Sequence, residues 1–220
     1  MNYAALVSAV SSYTENTFPT VDMNLFITQA EKRIYNTVQI PALRKNVTGI
    51  TTANNKYLAC PDDFLSSYSL AAIAPTTGAY TYLLNKDVNF IREAYPKPTS
   101  TGSPKYYALF GPAVASSVIT TELTFIIGPT PDAAYSMELH YYYYPESIVT
   151  ASTTWLSDNY DPALLYGTLV EAYTYMKGET DMIALYDGKY KEAMGQLKRL
   201  GDGLERQDAY RSGQARVPVT

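Results

Sequence analysis

The 220-residue chain holds one cysteine, Cys60, and one histidine, His140. A lone thiol excludes an internal disulfide and a cysteine-based zinc site within one chain. A lone imidazole excludes a multi-histidine metal centre and leaves His140 as the sole histidine base for any serine or cysteine nucleophile. No Gly-x-Ser-x-Gly pattern stands ready to use it. His140 falls mid-strand among tyrosines, where a residue on the more exposed strand face is the simpler account. Cys60 precedes Pro61-Asp62-Asp63 at a strand end, the place of a small buried residue rather than a reactive thiol. Nucleotide motifs are absent as well: there is no Gly-x-Gly-x-x-Gly and no phosphate loop, and Gly201-Asp202-Gly203 follows no strand. The adjacent Asp62 and Asp63, and Asp158 with Asp161, are the carboxylate pairs on which glycoside hydrolysis or a hard cation would have to rest. A turn capped by Asp63 and a helix capped by Asp161 account for them without chemistry. The expectation is a non-enzyme with no catalytic residues, no cofactor and no metal.

Charge is sparse too. Only 17% of residues are charged, and nowhere do about 18 apolar residues run together as a membrane span requires. The first residues, Met1-Asn2-Tyr3-Ala4-Ala5-Leu6, carry no basic n-region. The reading is a soluble cytosolic product of a reducing compartment, without a membrane partner. From Tyr186 onward seven Lys and Arg stand against five Asp and Glu, so a mildly basic tail follows an acidic body with net charge -4 overall. Lys189, Lys191, Lys198, Arg199, Arg206, Arg211 and Arg216 interleave with Asp187, Glu192, Asp202, Glu205 and Asp208, the pattern of a solvated helix face more than of a nucleic-acid surface.

What the chain has in excess is tyrosine, 22 residues, a side chain with large rigid contact area and a polar handle that favours strands and interfaces. Tyr3, Leu6, Val7 and Val10 recur at helical spacing. After a turn at Pro19, Phe26, Ile27, Ala30, Ile34 and Val38 form a second stripe that Asp22 opens and Pro41 stops, which predicts a helical hairpin over 1–40. From 41 to 154 the texture turns to Thr, Val, Ile and Tyr runs broken by Pro and Gly, a β-rich region. Tyr135, Met137, Leu139, Tyr141 and Tyr143 point one way along a strand, and Ser136, Glu138, His140, Tyr142 and Tyr144 the other. Leu123, Phe125 and Ile127 alternate likewise, and 128–132 is expected to join these two strands as an antiparallel hairpin. A short helix is expected over 85–94. The run Tyr141 to Tyr144 exceeds what one sheet face buries, so either a layer or another subunit covers Tyr142 and Tyr144.

Asp161-Pro162 opens a helix with Leu165, Leu169, Ala172 and Met176 as its buried face, closed by Gly178. A last helix follows, with Ile183, Tyr186, Tyr190, Ala193, Leu197 and Leu200 at alternating steps of three and four. The fold class is α+β: an N-terminal helical hairpin, a central antiparallel β-domain, and a C-terminal antiparallel helix pair with an extended tail. The helical domain takes 1–40 and 155–206, the β-rich domain 41–154 and the tail 207–220.

The order of these segments resembles the head-to-tail adaptor proteins of tailed bacteriophages, of the ring type found in short-tailed phages. The matching pieces are the N-terminal helical pair and Tyr57-Leu58-Ala59-Cys60-Pro61-Asp62-Asp63-Phe64-Leu65, a strand ending in a Pro-Asp-Phe turn. Phe90-Ile91-Arg92-Glu93-Ala94-Tyr95-Pro96 and Gly102-Ser103-Pro104-Lys105-Tyr106-Tyr107-Ala108 follow, then Gly128-Pro129 with its Tyr-rich strand and the segment from Trp155 through Tyr173. The resemblance implies a virion protein made in the host bacterial cytoplasm and placed at the head-tail junction. It implies a ring, commonly of twelve subunits, seated under the portal protein with a tail or nozzle protein docked below, and DNA met only in passage through the channel. By position, Arg206, Tyr210, Arg211 and Arg216 become the portal-binding candidates, and Tyr142 and Tyr144 the candidates for a subunit or tail interface. Two other readings compete: a carbohydrate-binding or glycan-hydrolysing β-domain using Tyr, Trp155 and Asp residues, and a DNA-binding packaging accessory whose affinity would fall steeply with salt.

Overall fold

The computed structural model describes residues 1–212 apart from Pro98, Pro112, Ser116, Ser117 and Glu122, with side chains described outside 112–122 and 205–212. The chain divides into two compact units, Met1–Leu43 with Pro145–Thr220, and Arg44–Tyr144.

The first unit is helical. It contains α1 (Tyr3–Thr14), α2 (Thr20–Thr37), a 3-10 turn at Pro41–Leu43, α4 (Ile148–Ala151), α5 (Trp155–Asn159), α6 (Asp161–Tyr175) and α7 (Thr180–Ser212). Asn2 caps α1 by accepting from the Ala5 N–H at 2.8 Å, and Asp22 sits in the first turn of α2 as its charge requires. The hub is α6, against which α1, α2 and α7 all pack. Small residues make this possible. A Cβ at Gly167 would stand 3.2 Å from both Ala30 and Tyr190, so glycine lets α2 and α7 approach α6 closely. With three neighbours, α6 buries Ala163, Leu164, Gly167, Thr168, Leu169, Val170 and Ala172, a wider belt than the expected Leu165–Met176 stripe, both ends of which are only half-buried. Ten of the 22 tyrosines lie in this unit; Tyr13, Tyr166 and Tyr173 ring Tyr186. The tyrosine excess is therefore not a β-signal alone.

The C-terminal end of α6 differs from expectation in detail. Lys177, at φ 54°, takes the left-handed position, its N–H meets the Thr174 carbonyl, and the Gly178 N–H closes back on the Tyr173 carbonyl at 3.0 Å. This is a Schellman turn with lysine where glycine is usual. Along α7, Tyr186, Tyr190, Ala193 and Leu197 are buried as the three-four spacing predicts, but Leu200 is exposed and Gly201 is the buried contact, against Ile40. Helical backbone continues to Ser212, six residues into the segment read as an extended tail. Glu, Arg, Gln and Ala are good helix formers, and Gly201 and Gly203 cost about 1 kcal/mol each without stopping propagation. Segment 145–154, grouped by sequence with the β-region, belongs to the helical unit: Ile148 is fully buried and its N–H donates to Glu31 of α2.

The second unit is a β-sandwich. Sheet I runs in the order β1 (Arg44–Ile50), β12 (Ser136–Tyr143), β3 (Phe64–Ile73), β4 (Tyr80–Tyr82), all antiparallel. Sheet II runs β2 (Tyr57–Ala59), β10 (Thr124–Gly128), β7 (Tyr106–Phe110), β5 (Leu84–Asn85), with β5 parallel to β7. Two small two-stranded pieces complete it: β6 (Thr101–Gly102) with β11 (Thr130–Pro131), and β8 (Ala113–Ala115) with β9 (Val118–Thr121). The inner faces meet in a core of Phe64, Leu70, Tyr107, Phe125, Met137, Leu139 and Tyr141, with Phe64 and Tyr107 both edge-on to Phe125. The expected parity of β12 holds, its inward set being Tyr135, Met137, Leu139 and Tyr141.

The expected hairpin between 123–127 and 135–144 does not form. The two strands lie in different sheets and face each other across the core. Both hydrogen-bonding edges of β10 are already taken, by β2 and β7. Pro129 and Pro131 bring no N–H to a ladder, and Thr130–Pro131 instead makes a parallel bridge to Thr101–Gly102, carrying the chain from one sheet to the other. All five residues of β10 are buried, because helix α3 (Val88–Ala94) covers its outer face through Ile91 against Ile126 and Ala108.

Candidate assembly surfaces

No catalytic constellation assembles from the candidate residues. Burial pushes the Cys60 thiol up to about 12, so it is not a thiolate at neutral pH. His140 is half-exposed on the outer face of sheet I, with Nε2 2.7 Å from the Glu138 carboxylate, which also accepts from the Tyr80 hydroxyl at 3.2 Å. That triplet lowers the Glu138 pKa, chiefly through the His140 contact, and raises that of Tyr80, chiefly through the Glu138 charge.

Of the carboxylate pairs, Asp63, Asp158 and Asp161 make structural contacts, but Asp161 does not cap α6 as expected: the N-cap position is Tyr160, and Asp161 lies in the first turn without a side-chain cap bond. In the Pro-Asp-Phe turn the Phe64 N–H closes on the Pro61 carbonyl at 3.1 Å, which aims Asp63 inward while Asp62 stays exposed. Asp63 Oδ2 takes Lys45 Nζ at 2.7 Å, Oδ1 takes the Tyr141 hydroxyl at 2.7 Å, and the Asp63 carbonyl takes the Tyr144 N–H at 2.9 Å. Burial alone would raise the Asp63 pKa, but the bonds from Lys45 and Tyr141, with the Lys45 charge, outweigh it and leave it below the ordinary aspartate value. Tyr141 is raised in turn, by burial first and then by Asp63. Asp158 and Asp161 flank the Met1 ammonium at 4.0 and 3.9 Å. Among the described residues no group of three His, Cys, Asp or Glu side chains gathers as a metal site.

Glu31, which the sequence reading did not single out, is a buried carboxylate whose pKa burial raises against the bonds from the Ile148 N–H and Ser147. It sits within an apolar helical stripe, and only its partner 117 residues away gives it a reason to be there.

Of the two interface tyrosines, Tyr142 is covered by its own chain. It is 7% exposed, lies 4.9 Å under the Arg44 guanidinium, accepts a hydrogen bond from Arg44 and meets the Tyr68 ring edge-on. Its cover comes from the adjacent strands β1 and β3 of its own sheet. Tyr144, at 37%, remains partly exposed. The outward aromatic surface of sheet I is carried by residues the sequence reading passed over: Tyr68, Tyr80 and Tyr82, at 57%, 51% and 72% exposure. Tyr80 and Tyr82 show a period-two signal in the sequence, whereas Tyr68 shares its parity with the buried Leu70 and turns outward at the register shift in the β3–β12 pairing. Trp155, offered as a sugar-stacking platform, sits on α5 of the helical unit.

The helical unit also exposes large apolar side chains, Val21 and Leu25 one turn apart on α2 and Leu200 and Leu204 one turn apart on α7. Two lysines of α7 have acidic partners on the same helix, Lys191 with Asp187 at 2.6 Å and Lys189 with Glu192 at 3.7 Å, as interleaved charge predicts. Of the portal-binding candidates, Arg206, Tyr210 and Arg211 fall on the helical backbone of α7 with side chains outside the described residues, and Arg216 lies outside them altogether. Among the described residues no helix is long and apolar enough to cross a membrane.

Large apolar side chains are exposed on both units. No curated protein matches the chain. The family model for the SU10 adaptor protein matches residues 1–218, and the chain belongs to that family of bacteriophage structural adaptors.

Proposed function

We propose that the chain is the repeating subunit of a ring, of twelve copies, that joins the portal of a phage head to its tail. The observation that supports this reading is the family match over essentially the whole chain. A ring requires each subunit to present two unlike surfaces, one to each neighbour. The exposed pairs Val21–Leu25 and Leu200–Leu204 and the outer tyrosines of sheet I supply unlike apolar surfaces.

In this reading the end of α7 and the tail meet the portal protein through Arg206, Tyr210, Arg211 and Arg216. The β-unit meets a tail or nozzle protein, or the neighbouring subunit, through Tyr144 and through Tyr68, which overlies Tyr142. DNA passes through the channel without a specific site, and the role is structural, not enzymatic. The protein is made in the host cytoplasm and resides in the virion at the head-tail junction. Electron cryomicroscopy of the particle is the test: a twelvefold layer of this chain between portal and tail is expected. A monomer in the purified state that is also missing from that layer refutes the assignment. At finer grain, removal of Gln207–Thr220 is expected to leave a folded protein that no longer attaches to portal.

A further inference from the structure

Most cations of the β-unit already have a partner. Lys45 pairs with Asp63, the Arg44 guanidinium lies over the Tyr68 ring, and Lys86 and Arg92 lie over Phe90 and Phe110. Lys56 and Lys97 differ: among the described residues neither meets a carboxylate, and both line one pocket of about 210 Å³ with no acidic residue in its wall. The fold brings them together from distant segments. The turn before β2 is held by the Asn54 N–H on the Pro131 carbonyl at 2.8 Å, with Asn54 at φ 63°. The Lys56 carbonyl takes the Ile127 N–H at 2.8 Å, which anchors that lysine's backbone to β10, and the Lys97 carbonyl takes the Ser100 N–H at 2.9 Å. Thr130 of β11 supplies the third segment.

The wall is rich in donors. Asn55 spends its side-chain oxygen on the Tyr57 N–H at 3.0 Å, so its amide NH2 is left as a donor beside the two ammonium groups and the Thr130 hydroxyl. Two lysines with neutral donors and no carboxylate favour an anion, and bonds from ammonium groups to anionic oxygens are roughly twice as strong as neutral ones. The rest of the wall is aromatic. Tyr95 is fixed by Tyr106, 6.4 Å away between ring centres, and by Gly128, where a Cβ would stand 3.1 Å from its ring. Tyr57 is 42% exposed, with Lys56 Nζ 5.4 Å from its ring centre. Clefts that bury a drug-sized molecule run to about 300–1,000 Å³, so this one suits a single phosphate and one attached ring. Cationic groups interleaved with open aromatic faces hold a nucleotide whatever its base.

We propose that this pocket is a nucleotide site: Lys56 and Lys97 bind the phosphate, Asn55 and Thr130 donate to it, and the Tyr57 ring stacks on the base. The nucleotide is free or part of a single strand, since both present the same phosphate and ring. The site concerns the β-unit alone and does not rest on ring formation.

Titration of the full-length chain with thymidine monophosphate at fixed ionic strength, followed by the backbone amide resonances of Asn55, Lys97 and Thr130, tests it. Saturable shifts at those amides are expected. Lys56→Gln combined with Lys97→Gln should weaken binding by about tenfold or more, because two bonds to a charged group are lost. Lys86→Gln with Lys105→Gln, equal in charge and outside the pocket wall, should change it by less than about twofold. All four lysines are exposed, so both double variants fold. No saturable shift, or equal loss in the two double variants, overturns the proposal. Inorganic phosphate binding as tightly as the nucleotide overturns it too, because the ring then contributes nothing. A thymidine oligonucleotide of about ten residues separates the two sources. Tighter binding than the monophosphate through the same amides assigns the pocket to a strand, and equal or weaker binding assigns it to a free nucleotide.

Discussion

Gly201 offers a sharp test of how α7 is held. Glycine inside a helix is ordinarily a defect, and replacing it by alanine gains about 0.8–1 kcal/mol through reduced backbone entropy. A Cβ at Gly195 or Gly188 would meet nothing within 4 Å, so alanine there should give that full gain. At Gly201 the same Cβ would stand 2.5 Å from Ile40 Cγ2 and 3.7 Å from the Gln39 carbonyl. Ile40 is 1% exposed and cannot swing into solvent, and overpacking of this kind costs about 1–3 kcal/mol. The net for Gly201→Ala is neutral to about 2 kcal/mol destabilising, opposite in direction to its neighbour six residues away. The assay is urea unfolding of the three variants followed by helical circular dichroism. A second mutation identifies the cause. Ile40→Val keeps Cγ2 and should not relieve the clash, whereas Ile40→Ala removes it, so Gly201→Ala should be less damaging in that background by about 1 kcal/mol or more. If Gly201→Ala stabilises as much as Gly195→Ala, or if Ile40→Val relieves it as fully as Ile40→Ala, the close approach of α7 to residue 40 is not what selects glycine here.

Lys177→Gly should stabilise the helical unit by about 0.5–1 kcal/mol in denaturant unfolding, since Lys177 holds a left-handed φ that glycine adopts without strain. Glu31 has a folded pKa above the ordinary 4.5, so its contribution is fully present below that value and is lost as pH rises through the folded pKa. Glu31→Gln keeps an acceptor for the Ile148 N–H and should gain on the native protein as unfolding midpoints are compared from pH 4 to pH 8; a pH-independent difference would count against a buried, strained carboxylate. Asp63 has the opposite sign, with stability present above 3.8 and lost as pH falls through its depressed pKa, so Asp63→Asn should flatten the acid limb of the stability curve. Tyr141→Phe removes one of the two side-chain bonds to that carboxylate and should cost about 1.5–3 kcal/mol.

Local pattern was legible in the sequence wherever its cause is local. The stripe Phe26, Ile27, Ala30, Ile34 and the inward set of β12 follow from periods of 3.6 and 2 against a solvent boundary, and both stand in the structure. So do the small buried residue at the end of β2, Cys60, and the interleaved charges of α7. What the sequence could not decide were choices between partners far apart in the chain. It read β10 and β12 as a hairpin because they are neighbours in sequence, but β10 already had β2 and β7 on its edges, and strand pairing is settled by which surfaces together exclude the most water. Tyr142 carried the alternation of an exposed residue, and Arg44, 98 positions away, buried it. Glu31 has its partner in the Ile148 N–H, 117 residues away, and Gly201 has Ile40 in the space beside it, contacts that no local pattern announces. Periodicity fixes which face of an element turns inward; only the packed chain fixes what waits there, because that contact energy exists for no segment alone.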